Sequence, residues 1–68
     1  MKYAVVIEDA GCNYSAYVPD LPGCVATGAS VEEAEAEIRK AVAFHIEGLL
    51  EDGLPVPQPK SVLAYVET

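Results

Sequence analysis

The sequence contains few of the side chains that metal sites, catalytic centres and nucleic-acid surfaces require. Its 68 residues include no tryptophan, one histidine, and four lysines or arginines against eleven acidic residues, a net charge of −7. Phosphate backbones repel such a surface, so we expect no direct binding of nucleic acid. No set of residues shows metal-ligand spacing, and His45 lies mid-helix, away from any serine or cysteine nucleophile. We therefore expect no metal, no other cofactor and no catalysis.

Long apolar runs are also missing. No stretch approaches the roughly 20 apolar residues that span a bilayer. The first residues, Met1-Lys2-Tyr3, enter a strand pattern without the profile of a signal peptide. From these two absences we expect a cytoplasmic protein that does not contact a membrane.

Cysteine is limited to Cys12 and Cys24, whose spacing fits neither a Cys-x-x-Cys redox pair nor a zinc pair. In a reducing compartment both should be free thiols. We expect Cys24 to be a small apolar strand residue, with a disulfide or a reactive thiol as the alternatives. Cys12 lies in a Gly-Cys-Asn turn, where we expect it to be exposed.

The alternation of apolar and polar residues predicts three antiparallel strands in one domain, residues 1–68. Residues 2–8 form the first strand, residues 14–18 the second and residues 24–27 the third. Residues 9–13 supply a short turn, and Pro22-Gly23 supplies the other, so the strands form a meander.

A long helix is predicted from Val31 to near Asp52. Ser30 and Glu33 have the spacing of a capping box, Gly53 suits the left-handed position after a helix, and Pro55 prevents continuation. Apolar residues recur at steps of three and four, so one face should pack on the sheet. The glutamates of the first turns interact favourably with the positive end of the helix dipole. The alternative is that they form a partner-binding surface.

The helix should be longer than its sheet and leave apolar residues uncovered. About 22 residues span about 33 Å, whereas strands of six residues span about 20 Å. A chain of this size also buries only about 60% of the surface that its unfolded form exposes. We therefore predict a homodimer or larger homo-oligomer. Its candidate interface residues are Phe44, Leu49, Leu50 and Tyr65.

The sequence after the helix predicts that the chain returns to the sheet. The alternating prolines of residues 54–59 favour a stiff connector, with a docking motif for an aromatic groove as the alternative. Residues 61–66 then predict a fourth strand, which runs parallel to the third and returns beside the first. The predicted fold is α+β, in the order β-β-β-α-β, with the helix on one face of the sheet.

Candidate site residues lie at the second turn and on the helix. Asp20 has two interpretations: a turn residue that stabilises its own backbone, or, with Glu8 and Asp9, an acid of a hydrolase. His45 is predicted to be a hydrogen-bonded residue of the core or an interface, with a proton-linked or ligand role as the alternative. The exposed candidates for partner binding are Tyr17, Asp20, Leu21, Pro22, Glu35 and Glu47.

Five sequence segments occur in a characteristic order. They are Tyr14-x-Ala16-x-Val18-Pro19-Asp20-Leu21-Pro22-Gly23-Cys24, Gly28, Ser30-x-Glu32-Glu33-Ala34, His45-Ile46 and Gly53-x-Pro55-x-Pro57. Together they resemble the HicB-type antitoxins of bacterial and archaeal toxin-antitoxin systems. The likeness extends over almost the whole chain. Many relatives continue into a DNA-binding segment that this chain is too short to hold, so we expect a short form without operon repression of its own.

The resemblance implies a degenerate ribonuclease H fold that works by binding. It implies a partner, a small basic mRNA-cleaving toxin of the HicA type, whose active site the antitoxin covers. The acidic charge fits such a partner, although simple solubility explains it equally well. Two other functions stay open: a small-molecule-binding or regulatory oligomer whose apolar sheet faces enclose a ligand, and a residual nuclease that depends on Asp20.

Overall fold

Three short strands form one antiparallel sheet in the structure, a computed structural model that describes residues 1–67. They are β1 (Val6–Asp9), β2 (Tyr14–Tyr17) and β3 (Val25–Gly28), in the sheet order β1-β2-β3. Val6 lies opposite Tyr17, and Tyr17 lies opposite Val25. The predicted meander is therefore confirmed, although β1 begins four residues later than the predicted residue 2. Strand pairing stops there because β2 ends at Tyr17 and the chain turns away.

The turn between β2 and β3 is closed by its own backbone. The N–H of Leu21 donates to the carbonyl of Val18 at 3.1 Å, and the N–H of Cys24 donates to the carbonyl of Leu21 at 3.1 Å. Gly23 has φ +83°, a left-handed conformation that residues with a Cβ rarely adopt. These bonds fix Leu21 with its side chain fully inside the protein.

Helix α1 (Val31–Glu51) begins and ends where the sequence predicts. The Ser30 hydroxyl accepts the N–H of Glu33 at 3.1 Å, which satisfies a donor that the first turn leaves unpaired. At the other end Gly53 has φ +66° and donates to Leu50, while Leu54 donates to Leu49 at 2.9 Å. This pair of bonds is a Schellman motif, which stops the helix.

The core lies between α1 and one face of the sheet. Its buried residues are Ala16, Val18, Leu21, Cys24, Ala34 and Ile38. Gly28 ends β3 directly against the start of α1: a Cβ on this glycine would lie 2.8 Å from the Ala34 Cα. Only glycine allows the strand and the helix to approach this closely. Cys24 is a buried free thiol and Cys12 an exposed one, as predicted, although Cys24 lies one residue before β3 rather than within a strand.

The predicted fourth strand is not formed in the part of the chain that the structure describes. Residues 54–67 contain no helix or strand, and Val62, Tyr65 and Val66 are each at least 85% exposed. The pattern of residues 61–66 is that of a strand, but a strand needs a neighbour to pair with. Within a single copy, this segment pairs with no other strand.

The helix does extend beyond the sheet. Its 21 residues span about 31 Å, against about 14 Å for strands of four residues. Phe44 is 80% exposed and Leu50 is 65% exposed, whereas Leu49 is half-buried. No helix among residues 1–67 is long and apolar enough to cross a membrane.

Candidate protein-binding surface

The turn between β2 and β3 presents two of its four candidate residues to solvent. Tyr17 and Pro22 are exposed. The prediction that Leu21 is exposed is wrong, because the turn directs this side chain into the core. Turn residues usually lie at the surface, and the sequence gives no local signal that distinguishes an inward-pointing leucine.

Asp20 binds the C-terminal part of its own chain. One carboxylate oxygen, Oδ2, accepts the N–H groups of Lys60 at 2.8 Å and Ser61 at 2.9 Å. The other oxygen accepts the Ser61 hydroxyl at 2.9 Å. The backbone hydrogen bond from Ser61, followed by that from Lys60, lowers the pKa of Asp20 because both stabilise the charged carboxylate. Sequence reasoning missed this anchoring role.

The three acids suggested for a hydrolase do not form one site. Asp9 lies opposite Tyr14 at one end of the β1–β2 pair, whereas Asp20 follows the other end, where Val6 lies opposite Tyr17. Asp9 instead accepts the N–H of Gly11 at 2.8 Å, a bond within its turn. Among residues 1–67 no three histidine, cysteine or acidic side chains are grouped so that they can hold a metal ion.

Two other reactive side chains have unremarkable surroundings. Burial raises the pKa of the Cys24 thiol, which disfavours the reactive thiolate. His45 is half-buried, and within the described chain its imidazole has no hydrogen-bond partner. The hydrogen bond predicted for this histidine is therefore not observed among the described residues of a single copy.

The solvent side of α1 carries acids whose charge is only partly neutralised. Glu35 pairs with Arg39 at 3.6 Å and Glu37 pairs with Lys40 at 3.3 Å, both in exposed positions. Glu47 has no cation within ion-pair distance in residues 1–67, and it lies three residues from the exposed Phe44. The helix therefore presents an aromatic ring beside uncompensated negative charge, a combination that suits a basic protein partner.

An apolar groove lies between α1 and the first seven residues of the chain, which lead into β1. It has a volume of about 410 Å³. Its lining residues are Met1, Tyr3, Ala4, Val5, Ile7, Glu35, Ile38, Arg39, Val42 and Leu63. We call it the β1 groove. The Tyr3 hydroxyl donates a hydrogen bond to the carbonyl of Pro57 at 2.6 Å. This bond holds the proline-rich connector at the same end of the sheet as the groove.

The whole chain matches one protein family. Residues 3–68 fit the family described as the HicB_like antitoxin of bacterial toxin-antitoxin systems. This chain belongs to that family. The fold agrees: a chain of the "HicA3 and HicB3 toxin-antitoxin complex" superimposes with a TM-score of 0.75 at 32% identity, covering 87% of this chain and 70% of that one.

Relatives occur in a phage and in bacteria. An uncharacterized 14.9 kDa protein of Haemophilus phage HP1 is 38% identical over 66 residues, which are 97% of this chain and 50% of the phage protein. A UPF0150 protein of Helicobacter pylori is 41% identical over 68 residues, which are 98% of this chain and 94% of that protein. This HicB-like chain thus spans half the length of the first relative and nearly all of the second.

Proposed function

We propose that this HicB-like protein binds a small basic mRNA-cleaving toxin of the HicA type and inhibits it by covering its active site. The observation that carries the proposal is the 0.75 TM-score to a chain of a toxin-antitoxin complex, together with the family match over residues 3–68. An inhibitor of this kind needs shape and charge rather than reactive groups. We propose that it acts in the cytoplasm, without catalysis and without contacting nucleic acid itself.

The surface supports a cationic partner. The chain has a net charge of −7, and all its carboxylates other than those of Asp9, Asp20, Glu35 and Glu37 lack a hydrogen-bonded or ionic partner within the described residues. Such a field accelerates encounter with a basic protein and disfavours acidic ones. We assign the contact to Tyr17 and Pro22 on the turn and to Glu35 and Glu47 on the helix. Asp20 lies on the same turn as Pro22 and is included in the proposed contact.

The decisive experiment mixes the purified protein with a purified small basic toxin of the HicA type and measures both binding and mRNA cleavage. We expect a stoichiometric complex and loss of cleavage. Glu35→Lys/Glu47→Lys should weaken binding at least tenfold, roughly the effect of removing close charge pairs at an interface.

Glu8→Lys/Glu67→Lys is the matched control, because it changes the net charge by the same amount away from the proposed contact. We expect its affinity to stay near that of the wild type. Equal losses of affinity in both double variants would show that charge acts through long-range attraction and not through contacts of Glu35 and Glu47. No binding of the wild type would contradict the antitoxin proposal itself.

The β1 groove supports a second candidate function, a small-molecule-binding or regulatory oligomer without a toxin. Its lining is mostly apolar and its volume of about 410 Å³ is within the usual range of ligand pockets. Native mass spectrometry of the freshly purified protein tests this alternative. A reproducible added mass that Val42→Trp removes would favour a ligand, whereas a bare chain mass would count against one.

We also propose that the protein is a homodimer or a larger homo-oligomer. Phe44, Leu50 and Tyr65 are large apolar side chains that remain mostly exposed in a single copy, and the half-buried Leu49 lies beside Leu50. Uncovered apolar residues in this number usually mark an interface. Light scattering at high micromolar concentration should give a mass of at least twice the 7.2 kDa chain.

A further inference from the structure

The C-terminal arm, residues 61–67, has the properties of an unpaired strand. Val62, Leu63, Tyr65 and Val66 are exposed by 55% or more. Within the described chain, Ser61 is the last residue whose backbone makes a hydrogen bond. Apolar side chains on an unpaired backbone attract another strand, since pairing satisfies the backbone and covers the side chains together.

The start of the arm has a fixed position. Asp20 accepts the N–H groups of both Lys60 and Ser61, and the Tyr3 hydroxyl holds Pro57. These bonds place the arm beside the first residues of the chain, at the end of the sheet where β1 begins. The arm nevertheless leaves the edge of its own β1 unpaired.

β1 is the complementary surface. It is an edge strand, because the sheet order is β1-β2-β3, so half of its backbone groups face away from β2. The β1 groove lies beside its start and is lined by Ile7 of β1 and by Val5, which precedes the strand. Leu63 already lines one part of this groove, which shows that an arm side chain fits there.

We propose that the arm of one copy adds as a strand to the β1 edge of a second copy, and that the second arm does the same in return. Each chain supplies one arm and one open edge, so two copies related by a two-fold axis satisfy each other completely. The exchange covers Val62, Tyr65 and Val66 and pairs the free backbone of both edges. It does not depend on a toxin partner.

Light scattering and native mass spectrometry of the full chain test the exchange. We expect the wild type to have twice the chain mass and Val62→Asp/Val66→Asp to be a monomer, because charge on the arm opposes its burial. Val25→Asp is the matched control: Val25 is a 65% exposed valine on the opposite edge strand, and this variant should stay dimeric. Neither substitution touches the core, and circular dichroism checks that both variants are folded.

Isotope-filtered nuclear Overhauser spectra of a mixed sample, half labelled and half unlabelled, identify the strand that the arm pairs with. We expect contacts from Leu63 and Tyr65 of one copy to Val5 and Ile7 of the other. A monomeric wild type, arm contacts within one copy only, or a dimer that survives Val62→Asp/Val66→Asp would each overturn the proposal. None of these results bears on toxin binding, which is measured separately.

Discussion

The carboxylate of Asp20 accepts three hydrogen bonds from two residues that lie about forty positions later in the chain. A turn aspartate usually bonds its own backbone, as Asp9 does with Gly11. Here the second turn is closed by backbone groups of Val18, Leu21 and Cys24, which leaves the carboxylate free to bind elsewhere. One side chain thereby determines where the C-terminal arm begins.

Acid should release the arm. The pKa of Asp20 lies below its ordinary value of 3.8 in the folded protein, because the N–H groups of Ser61 and Lys60 stabilise the charged form. A lowered pKa means that the contribution to stability is complete above the unfolded-state value and disappears as the pH falls through the folded-state value. Amide signals of Lys60 and Ser61, followed by NMR from pH 5 downward, should shift together with the Asp20 carboxyl, at a pH below the ordinary pKa of an aspartate.

Asp20→Ala should have the same effect at neutral pH, with faster amide hydrogen exchange at both residues. Asp9→Ala is the control, since Asp9 lies at the opposite end of the β1–β2 pair. Unchanged exchange at Lys60 and Ser61 in Asp20→Ala would show that the carboxylate does not anchor the arm.

Two glycines should respond to alanine in opposite ways. A Cβ at Gly28 would overlap the backbone at Ala34, so Gly28→Ala should destabilise the fold by about 1 to 3 kcal/mol, the usual cost of overpacking. Around Gly48, inside α1, a Cβ meets nothing within 4 Å, so Gly48→Ala should stabilise the fold by up to about 1 kcal/mol. Urea unfolding of both variants measures the difference, and equal midpoints would contradict the close strand–helix contact.

Among the helix and the strands, α1 has the boundaries that agree best with those predicted from the sequence. Its start depends on Ser30 and Glu33, and its end depends on Gly53, all within a few residues of the boundaries that they determine. The strands agree less well at their ends. β1 is shorter than its apolar pattern because its pairing depends on where β2 stops, and residues 61–66 form no strand because their backbone pairs with no other strand of the described chain.

The cap of α1 is open to a direct test. Ser30→Ala should lower the free energy of unfolding by about 1 kcal/mol, because the N–H of Glu33 loses its acceptor. Ser30→Asp retains an acceptor and should unfold near the wild-type urea concentration. Loss of stability in both variants would point to packing around residue 30 rather than to the hydrogen bond.

At the scale of the whole molecule, a small core and large uncovered surfaces occur together. Among residues 1–67 six side chains are buried, while the apolar residues of the arm and the end of α1 face solvent. A domain of this size gains much of its stability from whatever covers such surfaces. The proposed arm exchange uses the arm and the β1 edge, whereas the proposed toxin contact uses the turn and the solvent side of α1. Glu35 borders both surfaces, because it also lines the β1 groove.

Stability should therefore depend on protein concentration. If folding and arm exchange are coupled, the urea midpoint of the wild type rises with concentration, because mass action favours the dimer. The Val62→Asp/Val66→Asp variant should have a lower midpoint that does not change with concentration. A wild-type midpoint that is constant from about 1 to about 100 µM would contradict the coupling.

The sequence by itself determined the family, the meander, the extent of α1 and the packing of Cys24, because the signals for these features lie within a few residues of the structure that they specify. The tertiary structure alone decided that Leu21 is buried, that Asp20 holds the C-terminal arm and that residues 61–66 stay unpaired. These outcomes depend on which distant segments meet. Alternation and turn residues describe what a segment is able to form, and its neighbours in space determine whether it does.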